Sequence, residues 1–468
     1  MSQKQPSLLE RMRQGEKLTA AQQLELVVTL SIPAIMAQIT SIVMQYIDAS
    51  MVGSLGADAS ASIGLVSSST WLFGGITGAV ASGFSIQAAH KIGAGREDEA
   101  RSIMRQSLLT GILISCALLV LGVMISGPLP GVLGGEMQIR HGATVYFRIF
   151  VLFLPVLQMN RLAGSLLQCS GDMKTPGMLN VLMCMLDVLF NAVLIFPSRT
   201  VDFLGFHLWI PGAGLQVAGA AFGTALAELV VAGLMLWALC VRSSMFRLKK
   251  GEDWGIKSEC LQKALRLGGP LALENILTCG AMVVTTAIVA PLGTIAIAAN
   301  SFAVTAESLC YMPGYGIADA AATLVGQSIG AGERNMVRRF TRMTVWLGMA
   351  VMTLTGIFMY MAAPFMMGIL SPDMQVCQLG VQVLRIEAFA EPLFAASIVA
   401  SGALRGAGDT FIPSIMNFIS IWFVRLTLSV LLSKTFGLPG VWFAMCAELC
   451  FRGMIFLVRI YREKWIHI

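Results

Sequence analysis

Twelve stretches of about twenty apolar residues fill this chain, and that is the length a helix needs to cross the roughly 30 Å hydrocarbon core of a bilayer. They fall at 26–53, 61–89, 106–127, 143–169, 175–197 and 214–240, then at 266–291, 297–327, 340–368, 379–403, 411–433 and 438–458. Only 12% of the 468 residues are charged and 56% are hydrophobic, whereas a soluble chain carries about 25% charge. With no water to satisfy the backbone in a bilayer core, segments of this length are helices. The sequence therefore predicts an all-α polytopic membrane protein with twelve transmembrane helices.

The apolar segments come in two matching sets. Pro33 recurs as Pro270, Leu55-Gly56 as Leu292-Gly293, and Ile92-Gly93-Ala94-Gly95 as Ile329-Gly330-Ala331-Gly332, always 237 residues on. Arg101 and Arg105 recur as Arg338 and Arg342, Pro155 as Pro392, Gly171-Asp172 as Gly408-Asp409, and Asn180 as Asn417. Only the last pair slips, Ala227-Glu228 against Ala447-Glu448, because the loop after Phe196 is longer than the one after Ser433. Six spans per copy insert both copies the same way up. The expected architecture is two six-helix bundles related by a pseudo-twofold axis along the membrane normal, enclosing a cleft that rocking would open alternately. The division is 1–25 N-terminal segment, 26–240 first lobe, 241–265 linker, 266–458 second lobe and 459–468 tail.

Basic residues set the orientation. One side collects Lys4, Arg11, Arg13, Lys17, Lys91, Arg96, Arg101, Arg105, Lys250 and, in the second half, Arg334, Arg338, Arg342, Arg459 and Arg462; the opposite loops hold Arg140, Arg199 and Lys434. Both termini are expected in the cytoplasm. The first seventeen residues are polar, so no cleavable signal peptide is expected, and Thr19 with Gln22 fits a capping box for the first long helix. The net charge of +6 sits in short loops between spans, not on a nucleic-acid face. Ten cysteines form no CxxC or Cys/His metal pattern and read as small buried apolar residues.

Asp48 stands inside the first apolar span, where an ionisable group costs roughly 2.5–3.5 kcal/mol and is therefore kept for a use. Asp187 and Asn191 are four apart on one helix face, roughly 15 and 9 Å below the outer end near Pro197 at about 1.5 Å per residue. Thr224 lies ten residues into the sixth span, with Glu228 one turn deeper. Two carboxyls, an amide and a hydroxyl at one level suit a hard cation or a shared proton. The second half has Thr285, Val424 and Leu428 at the corresponding positions, so this constellation is not duplicated. It carries instead Glu274, Glu307, Asp319, Glu387, Glu391, Arg425 and Glu448. A mid-span Arg425 needs a carboxylate partner, for which Glu387, Glu391 and Glu448 are candidates; Glu228, Glu274 and Glu307 are candidates to meet a cationic substrate in the cleft. The Gly-Ala-Gly turns at 93–95 and 330–332 lack GxxxxGK[ST] and read as helix C-caps. Asp172 and Asp409 read as caps of the helices that follow. With no nucleotide-binding motif, any transport is driven by an ion gradient.

The stretches DASMVGSLG, IGAGREDEA, CSGDMKTP and ALRGAGDTFIP, recurring in order over nearly the whole chain, resemble the multidrug and toxic compound extrusion (MATE) family, and within it the DinF-like bacterial branch. The resemblance implies two six-helix lobes in a V and a secondary active multidrug efflux antiporter of the cytoplasmic membrane. Such a protein is no enzyme and needs no cofactor beyond a coupling ion, H+ or Na+. It implies amphipathic, often cationic substrates, no nucleic-acid partner and a monomer in the lipid bilayer. It also implies a first-lobe cation site of an acidic residue, an Asn/Asp pair four apart, and a Thr. Asp48 and Thr224 match directly, while Asp187 and Asn191 present the pair in swapped order. A lipid-linked precursor flippase of the same superfamily is the alternative; it would favour a basic cleft, and the membrane interior here is mainly acidic. An intramembrane enzyme would need facing His, paired Asp or Ser/Lys groups, and gains nothing from a twofold repeat.

Overall fold

The computed structural model describes residues 8–13, 16, 18–203, 206–249 and 251–467; Lys4, Lys17 and Lys250 lie outside them. A short helix α1 (Leu8–Arg13) precedes α2 (Ala20–Gly53), α3 (Ala57–Gly93), α4 (Glu97–Ser126), a single turn α5 (Leu129–Val132), α6 (Met137–Leu152), α7 (Leu154–Cys169) and α8 (Lys174–Leu194). A hairpin, β1 (Pro197–Phe203) and β2 (Phe206–Ala213), leads to α9 (Gln216–Trp237), which ends in the π-helical turn Ala238–Arg242. The second half runs through α10 (Ser258–Val289), α11 (Thr294–Gly330), α12 (Arg334–Leu370), α13 (Met374–Glu387) and α14 (Glu391–Gly406). It closes with α15 (Phe411–Ile419), the π-helical stretch Ser420–Arg425, α16 (Leu426–Phe436) and α17 (Leu438–Arg462).

Among the described residues ten helical spans are long and apolar enough to cross a membrane, and α6 with α7, bent by 49°, makes an eleventh. The twelfth is α13 with α14, the repeat counterpart of that pair. Its apolar run is interrupted by Arg385, Glu387 and Glu391 at the break. The stretch expected as one span at 143–169 is thus two helices beginning at Met137. The cause repeats: Pro155 and Pro392, each near the start of the second helix, have no N–H for the helix before them. Twelve spans in two bundles result.

Three departures from the sequence reading have local reasons. The loop after Phe196 folds into an antiparallel hairpin pairing Thr200 with Trp209 and Val201 with Leu208, because Phe-His-Leu-Trp-Ile is rich in strand formers. The seventh span begins at Ser258, well before 266, so the helix-free linker shortens to 243–257. Asp409 pairs with Arg459 instead of capping the next helix, whereas Asp172 does cap, accepting from Thr175 N at 3.0 Å and Thr175 Oγ1 at 2.7 Å. The Thr19 capping box forms in full, with Gln22 N to Thr19 Oγ1 at 3.3 Å and Thr19 N to Gln22 Oε1 at 3.0 Å.

Both chain ends lie on one face, called here the terminal face: Leu9 and Met12 share a buried apolar cluster with Trp465 and Ile466. The repeated arginines build matching anchors there. Arg101 and Arg105 hold Glu252 at 3.4 and 2.6 Å, and Arg338 and Arg342 hold Glu463 at 2.5 and 3.3 Å. Each pair, one turn apart at the start of a helix, fastens the segment that leaves the last helix of its own half.

The halves meet along two seams, α2 against α11 and α3 against α10. Gln38 Nε2 donates to Asp319 Oδ2 at 3.2 Å on the first seam, and Gln87 Nε2 to Cys260 O at 3.2 Å on the second. At the terminal face α3 and α11 cross on the pseudo-twofold axis itself. A Cβ on Gly93 would stand 1.9 Å from the carbonyl oxygen of Gln327, and a Cβ on Gly330 would stand 2.0 Å from that of His90. Only glycine permits that backbone-to-backbone approach.

Candidate functional site

The first-half constellation assembles as three helices deliver it. Asp48 comes from α2, Asp187 and Asn191 from successive turns of α8, and Thr224 from α9. Asn191 Nδ2 is the keystone: it donates to Asp48 Oδ1 at 2.9 Å and to Asp187 Oδ2 at 3.1 Å. One amide nitrogen has two N–H bonds, and each goes to a different carboxyl. Asp187 and Asn191 are wholly buried, and Thr224 stands beside Asp187. Asp187 Oδ1 and Asn191 Oδ1 accept no hydrogen bond. No lysine or arginine is among the groups acting on either carboxyl.

What lets α9 come close enough is Gly223, a residue the sequence reading passed over. A Cβ there would lie 2.0 Å from Asn191 Oδ1, so the amide is wedged against bare backbone and cannot swing away from the two carboxyls. The signal was legible only as a glycine one residue before Thr224. One turn deeper Glu228 is buried and accepts from Asn160 Nδ2 of α7 at 2.7 Å. It sits inside the first bundle, not on an open cleft wall.

The second half holds a different charge set. Thr285, counterpart of Asp48, bonds back to Ala281 O of its own helix at 2.9 Å. Glu448 is wholly buried and is reached by Arg425 Nε at 3.3 Å, Arg452 Nε at 3.1 Å and Ser420 Oγ at 2.5 Å. Of the three partners considered for Arg425, Glu448 is therefore the one in contact. Glu387 and Glu391 are fully buried too, yet none of their carboxyl oxygens has a hydrogen-bond partner. They flank the α13–α14 break, while Arg425 leans to α17. Arg452, one turn beyond Glu448 on the same helix, completes the lock and was missed, although its i,i+4 spacing was a usable sign. Glu307 is 5% exposed, within the field of both arginines. Glu274 is half-buried and tied across the second lobe by Ser414 Oγ and Asn417 Nδ2, both at 2.7 Å.

Among the described residues no three His, Cys, Asp or Glu side chains converge as a transition-metal site. With Asn191 Nδ2 spent on the two carboxyls, the buried oxygens Asp187 Oδ1 and Asn191 Oδ1 remain unpartnered, and oxygens of that kind suit a hard cation or a proton.

A protein-family model described as MatE matches residues 33–193 and again 270–431, two segments whose starts are the repeated prolines. The chain belongs to the MatE family. It is a membrane transporter and not an enzyme. Among its curated relatives are a probable multidrug resistance protein NorM of Thermotoga maritima, 27% identical over 94% of this chain and 92% of that one. Another, of the same name, is from Deinococcus radiodurans, 27% identical over 96% of this chain and 97% of that one. Solved structures of the same fold include a MATE transporter of Vibrio cholerae, VcmN, with a TM-score of 0.86 at 16% identity, covering 96% of this chain and 99% of that one. A MOP superfamily transporter from Pyrococcus furiosus gives a TM-score of 0.86 at 19% identity, covering 96% of this chain and 98% of that one. The MatE protein thus has the two-bundle, twelve-helix architecture read from its repeat.

Proposed function

We propose that this MatE protein exports small amphipathic, drug-like compounds, cationic ones above all, across the cytoplasmic membrane in exchange for protons or sodium ions. The names of its relatives support the drug part. The ion part is carried by the Asn191 bridge between Asp48 and Asp187. A buried carboxyl and a half-buried one, joined by one neutral amide with no basic neighbour, leave negative charge uncompensated, and a proton or a monovalent cation supplies the balance.

The excess of Lys and Arg on the terminal face supports placing both termini in the cytoplasm, so that Asp48, Asp187, Asn191 and Thr224 sit in the outer half of the membrane. Ion uptake from outside draws Asp48 and Asp187 together around Asn191. α2 then bends at Pro33, fifteen residues below Asp48, where the helix lacks a backbone hydrogen bond. The chain works as a monomer.

The test is efflux of a fluorescent cation such as ethidium from proteoliposomes under an imposed proton gradient, then under a sodium gradient. Asp48→Asn is expected to abolish efflux under whichever gradient drives it while leaving expression and folding intact. Undiminished efflux by that variant, or efflux indifferent to both gradients, overturns the reading.

A further inference from the structure

Among the hydrogen bonds that join the halves at the terminal face, two are images of each other. His90, near the end of α3, places Nε2 2.8 Å from the carbonyl oxygen of Gly406, the last residue of α14. Gln327, near the end of α11, donates Nε2 to the carbonyl oxygen of Cys169, the last residue of α7, at 2.7 Å. Donors 90 and 327 and acceptors 169 and 406 each stand 237 residues apart. A carbonyl oxygen only accepts, so His90 carries its proton on Nε2 and acts there as the chemical equivalent of the glutamine amide.

The acceptors explain why such bonds exist. The turns after α7 and α14 fold alike: Gly171 N and Asp172 N reach back to Gln168 O and Leu167 O, and Gly408 N and Asp409 N reach back to Arg405 O and Leu404 O. Those bonds skip Cys169 O and Gly406 O, the last carbonyls of their helices, which a helix end leaves without a partner. Each is satisfied only by a side chain of the other half. Between the two bonds lies the bare glycine crossing of Gly93 and Gly330, and to one side of it Leu9 and Met12 pack with Trp465 and Ile466.

We infer that these two bonds are the clasps of a gate closing the transport cleft on the terminal face, and that His90 and Gln327 are gating residues. The inference rests on alternating access as the mode of transport, not on which ion or drug is carried. Each clasp is one neutral hydrogen bond that water replaces when the face opens, so the gate holds without locking. The clasps differ in what surrounds them: Thr323 Oγ1 donates to Gln168 O at 3.1 Å beside the Gln327 clasp, whereas its counterpart is Ile86. Arg13 of α1 donates Nε to Gln327 Oε1 at 3.1 Å and Nη2 to Ser170 O at 2.5 Å, so α1 straps the Gln327 clasp and leaves the His90 clasp free.

Cys169 is a built-in reporter, since the residue is 5% exposed and its own carbonyl forms one clasp. With the other nine cysteines replaced by alanine, its maleimide labelling rate in lipid nanodiscs, without substrate or gradient, reads gate opening. His90→Ala and Gln327→Ala are each expected to speed labelling about fivefold, the factor for one net hydrogen bond, and together about twenty-five-fold if they act independently. His90→Gln should label at the parent rate, because either side chain donates one N–H to one carbonyl, and Gln327→His should label no faster than Arg13→Ala, because it keeps the clasp and gives up only the Oε1 that Arg13 reaches. Arg13→Ala should speed labelling in the parent but add nothing to Gln327→Ala. Alanine variants no faster than the parent, or His90→Gln as fast as His90→Ala, overturn the inference. Should either alanine variant fail to fold, His90→Gln still decides it, because a purely packing role for the imidazole predicts that this replacement disturbs the gate. Labelling needs no transport, so its outcome is independent of the efflux test.

Discussion

Gly223→Ala separates the proposed site from the fold that carries it. The new Cβ would lie 2.0 Å from Asn191 Oδ1 and 3.1 Å from Asn191 N. The side-chain oxygen is the softer neighbour, so the amide turns away and gives up its bonds of 2.9 and 3.1 Å to Asp48 and Asp187. Hydrogen bonds to charged acceptors are worth about 1.5–3 kcal/mol each, so the site loses on the order of 3 kcal/mol or more of its organisation. The helix itself gains up to about 1 kcal/mol from replacing glycine by alanine. Stability and function should therefore move apart. Gradient-driven efflux from proteoliposomes is expected to fall about a hundredfold, at about 1.4 kcal/mol per factor of ten, while the detergent-solubilised protein melts within a few degrees of the parent. Gly233→Ala on the same helix, where a Cβ meets nothing within 4 Å, is the control and should transport normally. Parent-rate efflux by Gly223→Ala would show that the Asn191 bridge does not govern ion use.

The remaining perturbations probe the second lobe and the terminal face. Glu448→Gln withdraws the charge shared by Arg425 and Arg452 and should cost about 3–5 kcal/mol, seen as a clear drop in melting temperature. Glu387→Gln removes a carboxyl with no hydrogen-bond partner and should leave the melting temperature unchanged or raise it; equal drops for the two variants would refute the assignment of the lock to Glu448. Arg338, hydrogen-bonded to Glu463, together with Arg342 holds the Glu463 carboxyl below its ordinary value of 4.5. A depressed carboxyl stabilises above its unfolded value and stops doing so as pH falls through the folded one. Protection of Trp465 against hydrogen exchange, taken relative to the intrinsic rate at each pH, should therefore fall below about pH 4.5 in the parent, whereas Glu463→Gln should be weakly protected with little pH dependence; a parent protection profile flat to pH 3 would contradict this anchor.

The fold was legible where one physical rule acts on many residues at once. Apolar length gave the spans, and a constant interval from Pro33 and Pro270 to Gly171 and Gly408 gave the two bundles. Single contacts decided the rest. Asp48, Asp187, Asn191 and Thr224 were found because a carboxyl in an apolar span is conspicuous, but the amide's position between both carboxyls depends on Gly223, and a glycine announces neither its neighbour nor its reason. Arg425 announced a need for a partner without saying which of Glu387, Glu391 and Glu448 would meet it. That depends on how α17 faces the π-helical turn before α16, which a hydropathy pattern does not encode. His90 stands out in no sequence pattern, since its acceptor is a backbone carbonyl of the other half and carbonyls leave no trace in sequence.

Set side by side, the duplicated and the unduplicated features divide along the axis of the molecule. A contact that crosses a twofold axis is made twice from the same surface, so a change at one copy must suit both halves of the interface. That constraint accounts for the glycine pair at 93 and 330, the donors at 90 and 327 and the acceptors at 169 and 406, where His and Gln differ in shape yet deliver the same N–H. Inside each bundle no such constraint applies. There Asp48 faces Thr285 across the repeat, Asp187 faces Val424 and Asn191 faces Leu428, while Glu448 gathers Arg425 and Arg452 into a closed lock. The first lobe thus holds its two carboxyls on one amide, whereas the second closes Glu448 between two arginines and leaves Glu387 and Glu391 without hydrogen-bond partners. Under the antiport proposed above, an ion would act on the shared gate through the first lobe, whose Asp48 and Asp187 meet on one amide and have no arginine between them.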